Sequence, residues 1–301
     1  MHIVAKTVNK VFTNCPICKS GKLYMLKEYS KDHLVKCKNC NFVFSNFIPS
    51  GYELDKAYAT YKRDNLVSDI TLKRYGYLLD QFEKFRKTNN IIDVGAGDGW
   101  FLTEAKKRGW NVFGTEFEDR AVANCLDKGI DMHHGVLDPK KYNVLFDIIT
   151  SFEVVEHINN PLEEFSHFYK LLRKGGMVYV TTPNFNSLSR RLLGPKWNNL
   201  AYPEHISYYT FNTLKKAFER CGFSYQKGTT SGFSFTRFRH SSASVQLKEK
   251  IVEEAGAHNK DEGLRKKIES NKALQMAKKF IDFLFHITKS GDGLKLQFIK
   301  N

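Results

Sequence analysis

Three groups of residues in this chain have the types and spacing that chemistry requires. Cys15-Pro-Ile-Cys18 and Cys37-Lys-Asn-Cys40 are two CxxC pairs separated by 18 residues. Four thiolates at that spacing close a tetrahedral zinc site, and a site with four cysteine ligands leaves no position open for catalysis, so the expected metal is structural. The second group is Asp93, Gly95, Gly97, Asp98 and Gly99, followed by Glu116. Its GxGxG spacing differs from the GxGxxG of dinucleotide sites, and its carboxylates would repel a pyrophosphate. They suit a ligand that carries positive charge. The third group is Glu153, Glu156 and His157 in an ExxEH segment, together with His205 further on. A helix would put Glu153 on one side with Glu156 or His157. His205, with an unperturbed pKa of about 6.5, could act as a general base, and carboxylates with imidazole could instead hold Mg²⁺ or Mn²⁺.

These residues need strands and turns to place them. Ile91, Ile92 and Val94 form an apolar run that stops at the glycines, and Phe101, Leu102 and Ala105 follow at helical spacing: a buried strand, a tight turn and a helix. Val112 and Phe113 start the next strand, which ends at Glu116. The segment 118–128 is helical, a short strand lies near Met132, residues 144–151 are a central strand, 161–172 an amphipathic helix and 177–182 another buried strand. Strands alternating with helices predict a parallel sheet with right-handed crossovers. Residues 184–205 break the rhythm as an irregular insertion, 213–221 resume as a helix and 223–227 begin a sixth strand. Residues 294–299 alternate like an edge strand. The expected fold is therefore α/β, a seven-stranded Rossmann-like sheet with its last strand antiparallel.

The expected organisation is a zinc ribbon over 1–50, a helical lid or linker over 51–89, and a larger domain over 90–301 with a helical insertion at about 244–289. Between the CxxC pairs a small hairpin is expected, which the metal stabilises because so short a segment cannot do so by apolar burial. Phe42, Val43, Phe44 and Phe47 are expected to dock it onto the larger domain. Tyr58 and Tyr61 are lid candidates. The apolar run 280–287, flanked by Lys278, Lys279 and Lys289, could be a membrane-surface helix; packing against the sheet or a second subunit, as in a homodimer, is the stronger expectation.

The chain carries a net charge of +15, spread along its length rather than gathered in one stripe. Phosphate binding, and so RNA, stays open without being required. The N-terminal residues lack the apolar core of a signal peptide, and no apolar stretch approaches the roughly 18 residues of a spanning helix. A cytoplasmic location follows, where thiols stay reduced and bind metal rather than pair as disulfides.

Taken together, DVGAGDG, Glu116, FDIITSFEVVEHI (146–158), LRKGG (172–176) and TTPN (181–184) resemble the class I S-adenosylmethionine-dependent methyltransferases over roughly residues 90–230. The resemblance implies that Gly95, Gly97 and Gly99 pass close to the methionine part of the cofactor, that Asp93 meets its ammonium, and that Glu116, with Phe117 beside it, accepts the ribose hydroxyls. It further implies that Leu137 and Asp138 border the adenine and that Phe152 lies near the sulfonium. His205, His157 and Glu153 are then the candidate catalytic residues. The ExxEH segment is also similar to that of metal-using polyprenyl catechol and small-RNA 2′-O-methyltransferases. The zinc ribbon before such a core resembles bacterial enzymes that methylate sugars, polysaccharide precursors and small metabolites, which makes O-methylation of a small hydroxyl compound the leading expectation. An RNA methyltransferase and a non-catalytic regulator that keeps the fold are the alternatives.

Overall fold

The computed structural model describes residues 10–51, 53–54, 67–232 and 271–301; the lid candidates Tyr58 and Tyr61, and the expected helical stretch from 244 to 270, lie outside them. The N-terminal strands are β1 (Lys10–Val11), β2 (Leu23–Met25), β3 (Leu34–Cys37), β4 (Val43–Ser45) and β5 (Phe47–Ile48). Helix α1 (Asp69–Phe82), capped by the Ser68 hydroxyl, leads into β6 (Asn90–Val94), α2 (Trp100–Lys107), β7 (Asn111–Glu116), α3 (Asp119–Asp127), β8 (Asp131–His134) and β9 (Phe146–Phe152). Then come α4 (Pro161–Leu171), β10 (Leu172–Pro183), α5 (Leu188–Leu193), β11 (Ser207–Tyr208), α6 (Phe211–Arg220), β12 (Phe223–Ser231), α7 (Lys272–Thr288) and β13 (Gly293–Lys300).

Seven strands form one sheet in the order β8-β7-β6-β9-β10-β13-β12. All pair in parallel except β13, which is antiparallel to both its neighbours. Every residue of β6 and nearly all of β9 is buried, as expected for strands covered on both faces. On one face, Leu79, Phe82, Phe101, Leu102 and Ala105 of α1 and α2 pack onto Ile91, Ile148 and Met177. On the other, Phe165, Phe168, Leu214 and Phe218 of α4 and α6 pack onto Ile149, Val178, Val180, Leu296 and Phe298. The chain order reverses between β6 and β9, and an open sheet binds ligands outside the carboxyl ends of the strands at such a switch point. The glycines after β6 and the ExxEH segment after β9 both lie there.

The expected edge strand is interior. Leu294, Leu296 and Phe298 are fully buried on the α4–α6 side, while on the other face Gln297 is buried and Lys295 exposed. β13 pairs with β10 on one side and β12 on the other, and β12 occupies the edge.

At the opposite end of the sheet, Asp147 accepts hydrogen bonds from the backbone amides of Lys87, Thr88 and Asn89 at 2.7–2.9 Å, and from Arg173. Burial works to raise this carboxyl, yet the guanidinium and amides hold it below its usual range. Arg173 also donates to the carbonyls of Phe85 and Lys174. Arg173→Met should cost about 3 kcal/mol in urea denaturation at neutral pH, because a carboxylate loses its buried partner. A depressed carboxyl contributes stability above the ordinary carboxylate pKa and loses it as pH falls. The deficit should therefore shrink in acid, and a deficit independent of pH would contradict this assignment.

The N-terminal module does not stand apart. β2 and β3 form the expected hairpin, β4 adds to β3, and β11, from the far insertion, adds to β4 through Phe44 opposite Ser207 and Val43 opposite Tyr208. Tyr29, Leu34 and Val43 share a small core with Phe185, Trp197 and Tyr208 of residues 183–208, and Phe42 lies 5.1 Å from the Tyr209 ring. The segment read as irregular is thus a structured element clamped by the cysteine module.

Helix α7 does not lay its apolar run on the sheet, the first of the two packings expected of it. Gln275, Asp282 and Phe285 face the protein, through bonds from the Gly232 amide to Asp282 and from the Thr230 hydroxyl to the Phe285 carbonyl. The rest of the apolar run points outward and packs on no part of the sheet. Polar anchors on one stripe, rather than apolar burial, fix its orientation. Among the described residues, no helix is long and apolar enough to cross a membrane.

Candidate active site

At the end of β6 the chain turns through Gly95 and Gly99 with φ of +75° and +73°. A Cβ on Gly95 would lie 2.4 Å from Val154 Cγ2, and one on Gly99 would lie 2.6 Å from Cys125 Sγ. Only glycine fits, since both the backbone angle and the space exclude a side chain. The Glu116 carboxylate, nearly buried at the end of β7, accepts from the amides of Gly97 at 2.9 Å and Phe117 at 2.7 Å, so it also fixes the turn. Asp93 is buried beneath the turn and accepts from the Thr150 hydroxyl at 2.7 Å. Burial pushes its pKa up to about 7, against the pull of that hydrogen bond. A buried carboxyl with this bias gains from a cation placed above it.

The adenine-side expectations divide. Phe117 is 67% exposed beside Glu116, as a ring-covering residue must be. Leu137 is 1% exposed; its side chain belongs to the core and its carbonyl contacts His167. The neighbouring Val136 carries the exposed apolar surface instead. Asp138 caps the turn Pro139–Lys141 by accepting from the Lys140 amide, an ordinary turn role.

Phe152, at the end of β9, sits in an aromatic cage with its ring 5.0 Å from Phe101, 5.7 Å from Tyr179 and 6.1 Å from Tyr75. Tyr75 belongs to α1 and is a site neighbour that its helical spacing disguised as plain core. Beyond Phe152 the expected helix is absent. The Glu153 amide donates to the carbonyl of Thr181 at 3.0 Å, extending the pairing with β10, and Glu153 takes a left-handed φ of +55°. A single 3-10 turn, Val155–His157, follows. Glu153 is consequently exposed and does not share a helical face with Glu156 and His157.

Glu156, His157 and His205 do converge, with one possible ligand atom from each lying within 4.8 Å of the others. The two imidazoles meet edge to face at 4.8 Å. Glu156 is buried and accepts from the Thr182 hydroxyl at 2.9 Å; burial, and then the nearby Glu153, raise its pKa well above the ordinary range. His157 Nδ1 lies 2.9 Å from the Glu204 carbonyl, and His205 Nδ1 lies 2.9 Å from the Asn199 carbonyl. A carbonyl can only accept, so in each ring Nδ1 carries the hydrogen and the lone pair falls on Nε2. Burial lowers the His205 pKa, although the Asn199 contact works the other way, and this favours the neutral ring. The Ile206 amide donates to the Glu156 carbonyl, tying the insertion to the turn after β9.

In the N-terminal module the four thiols of Cys15, Cys18, Cys37 and Cys40 lie within 4.8 Å of one another, with Sγ separations of 3.5 Å for Cys15–Cys40 and 3.4 Å for Cys18–Cys37. Zn–S bonds of about 2.3 Å put tetrahedral sulfurs about 3.8 Å apart, so the donor set fits that ion. Lys19 and Asn41, each following the second cysteine of its pair, both take left-handed φ values near 60°, the same knuckle built twice.

A family described as "Methyltransferase domain" matches residues 68–227. The chain belongs to the S-adenosylmethionine-dependent methyltransferase family. Its methyltransferase domain is 24% identical over 140 residues to a probable S-adenosylmethionine-dependent methyltransferase of Mycolicibacterium smegmatis, covering 44% of this chain and 51% of that protein. It is 26% identical over 104 residues to a ubiquinone biosynthesis O-methyltransferase of Pseudomonas entomophila, covering 32% and 45% respectively. The chain thus spans about half the length of these relatives. A methyltransferase from Archaeoglobus fulgidus has the same fold, with a TM-score of 0.51 and 17% identity over 83% of this chain and 100% of that one. The glycine turn, Asp93 and Glu116 all fall within the matched residues.

Proposed function

We propose that this methyltransferase acts on a hydroxyl oxygen of a sugar, a polysaccharide precursor or a related small metabolite, with His205 as the general base. The observation that carries the reading is the pairing of His205 with His157 at the switch point, with His205 Nδ1 held by the Asn199 carbonyl so that its lone pair falls on Nε2. The O-methyltransferase among the relatives supports an oxygen acceptor.

S-adenosylmethionine supplies an electrophilic methyl group on a sulfonium. The chain's own contribution is alignment and proton handling. The Gly95–Gly99 turn would seat the methionine part, Asp93 would remain ionised beneath its ammonium, and Glu116 and Phe117 would hold the ribose and flank the adenine. As the acceptor oxygen bonds to the methyl carbon and the C–S bond breaks, the hydroxyl proton would pass to His205 Nε2. His205→Ala should lower kcat by roughly tenfold or more with cofactor affinity unchanged by calorimetry, once a mass-shift screen has identified an acceptor. Wild-type turnover in that variant rules His205 out.

A second reading follows from the convergence of Glu156 with both histidines. One carboxylate and two imidazoles fit a divalent cation, and two nitrogen donors suit Mn²⁺ better than Mg²⁺. The metal would polarise the acceptor oxygen, and His157 would then matter as much as His205. The two readings part on metal add-back after EDTA: Mn²⁺ or Mg²⁺ restores the rate only if that cation takes part in transfer, whereas loss at the cysteine site is restored by Zn²⁺ alone. We further infer that Cys15, Cys18, Cys37 and Cys40 hold a structural zinc.

A further inference from the structure

Helix α7 is amphipathic in the reverse of the usual sense. A helix on a protein surface normally turns its apolar stripe inward. Here Gln275 and Asp282 face the body, while Leu274, Met276, Phe280, Phe283, Leu284 and Ile287 face out. Met276, Phe280 and Ile287 are each more than 60% exposed. At about 100° per residue these outward positions spread over roughly 180° of the circumference. Lys272 and Lys279 border one side of that arc, while the single acid from 271 to 290, Asp282, is turned inward and bonded to Lys278 and the Gly232 amide.

The geometry points to a peripheral membrane-docking surface that takes an anionic lipid bilayer, with α7 lying in the plane of the headgroups. Three observations favour lipid over a second copy of the chain. The arc is far wider than the seam of about two positions in seven that two packed helices share, and it suits a planar apolar medium. A twofold contact would set lysine edge against lysine edge with no carboxylate on the outward face to offset them. Anionic headgroups supply that opposite charge, and the chain's +15 adds to the attraction. Past the C-terminus of α7, the Ser290 and Lys289 carbonyls accept from the Leu188 amide and the Asn186 side chain, bringing up α5 with its exposed Leu192 and Arg191. That short helix belongs to the insertion that carries His205, so a docked molecule would hold its acceptor-side insertion against the lipid.

The test is co-sedimentation of the full chain with vesicles of phosphatidylcholine alone, and of phosphatidylcholine and phosphatidylglycerol in equal parts. Wild-type protein should pellet with the anionic vesicles and bind neutral ones roughly tenfold less. Phe280→Ser combined with Phe283→Ser should lower binding to anionic vesicles by at least roughly tenfold, with an unchanged melting temperature because both positions are exposed. Cofactor affinity should match wild type, which separates this result from any failure of the methyl-transfer reading. Wild-type protein left in the supernatant with anionic vesicles overturns the proposal, as does binding that the double variant leaves intact. A dimer in light scattering that the same substitutions dissociate also overturns it, assigning the face to a second copy.

Discussion

Cys37→Ser is expected to release one equivalent of zinc and, with it, to lower methyl transfer by roughly tenfold or more while cofactor affinity stays within about twofold. The first half follows from size. Residues 10–48 bury Ile17, Val35, Phe42 and Phe44 in the core of the larger domain rather than in one of their own, and β2 to β4 are short, so four metal–thiolate bonds supply what a self-contained apolar core does not. The second half follows from β11. His205 lies two residues before Ser207, whose partner across the sheet is Phe44 of β4, and the Ser45 amide donates to the Ile206 carbonyl at 2.8 Å. Loss of the metal frees β3 and β4, and with them goes the template that holds His205 beside His157. The glycine turn belongs to β6 and α2 and shares none of these bonds. Elemental analysis, calorimetry and turnover on the same preparation check all three parts. A metal-free, folded wild-type protein with full turnover refutes the site.

Gly95→Ala should lower cofactor affinity about 100-fold while leaving the protein folded. Two costs coincide. A left-handed φ of +75° costs a side-chain-bearing residue about 1–2 kcal/mol, and the new methyl would lie 2.4 Å from Val154 Cγ2, inside any allowed contact. The backbone must move, and a site that holds its ligand by backbone approach loses affinity when it does; a loss of about 100-fold is expected, or roughly 3 kcal/mol. Val154→Ala in the same chain relieves the contact but not the backbone strain, so the double variant should recover part of the affinity. Wild-type affinity in Gly95→Ala would show that the turn is not the cofactor's seat.

Much of this arrangement was legible in the residues. The run ending at Gly95 could only be a buried strand feeding a tight turn, and paired CxxC motifs admit few arrangements. What escaped was set by contacts distant in sequence. Glu153 looks helical by spacing, yet Thr181 captures its amide and prolongs the strand. Leu137 and Val136 differ in which one the core takes, which no local pattern decides. Glu156 rather than Glu153 joins the histidines because Glu153 stays with the strand at a left-handed φ and only the single turn Val155–His157 follows it. Periodicity placed an apolar arc on α7 but not its direction, because the polar stripe is what bonds to β12.

The placement of β13 between β10 and β12 bears on how such a chain can grow. Neighbouring strands here are joined through everything between Ser231 and Gly293, yet lengthening a connection costs only about 0.6 kcal/mol for each doubling. The sheet therefore tolerates long additions at this crossover with little loss of stability, provided that the residues from Gly293 onward return in register. New surface, α7 included, can be acquired and altered at this one joint while β6, β9 and the residues they carry stay where they are.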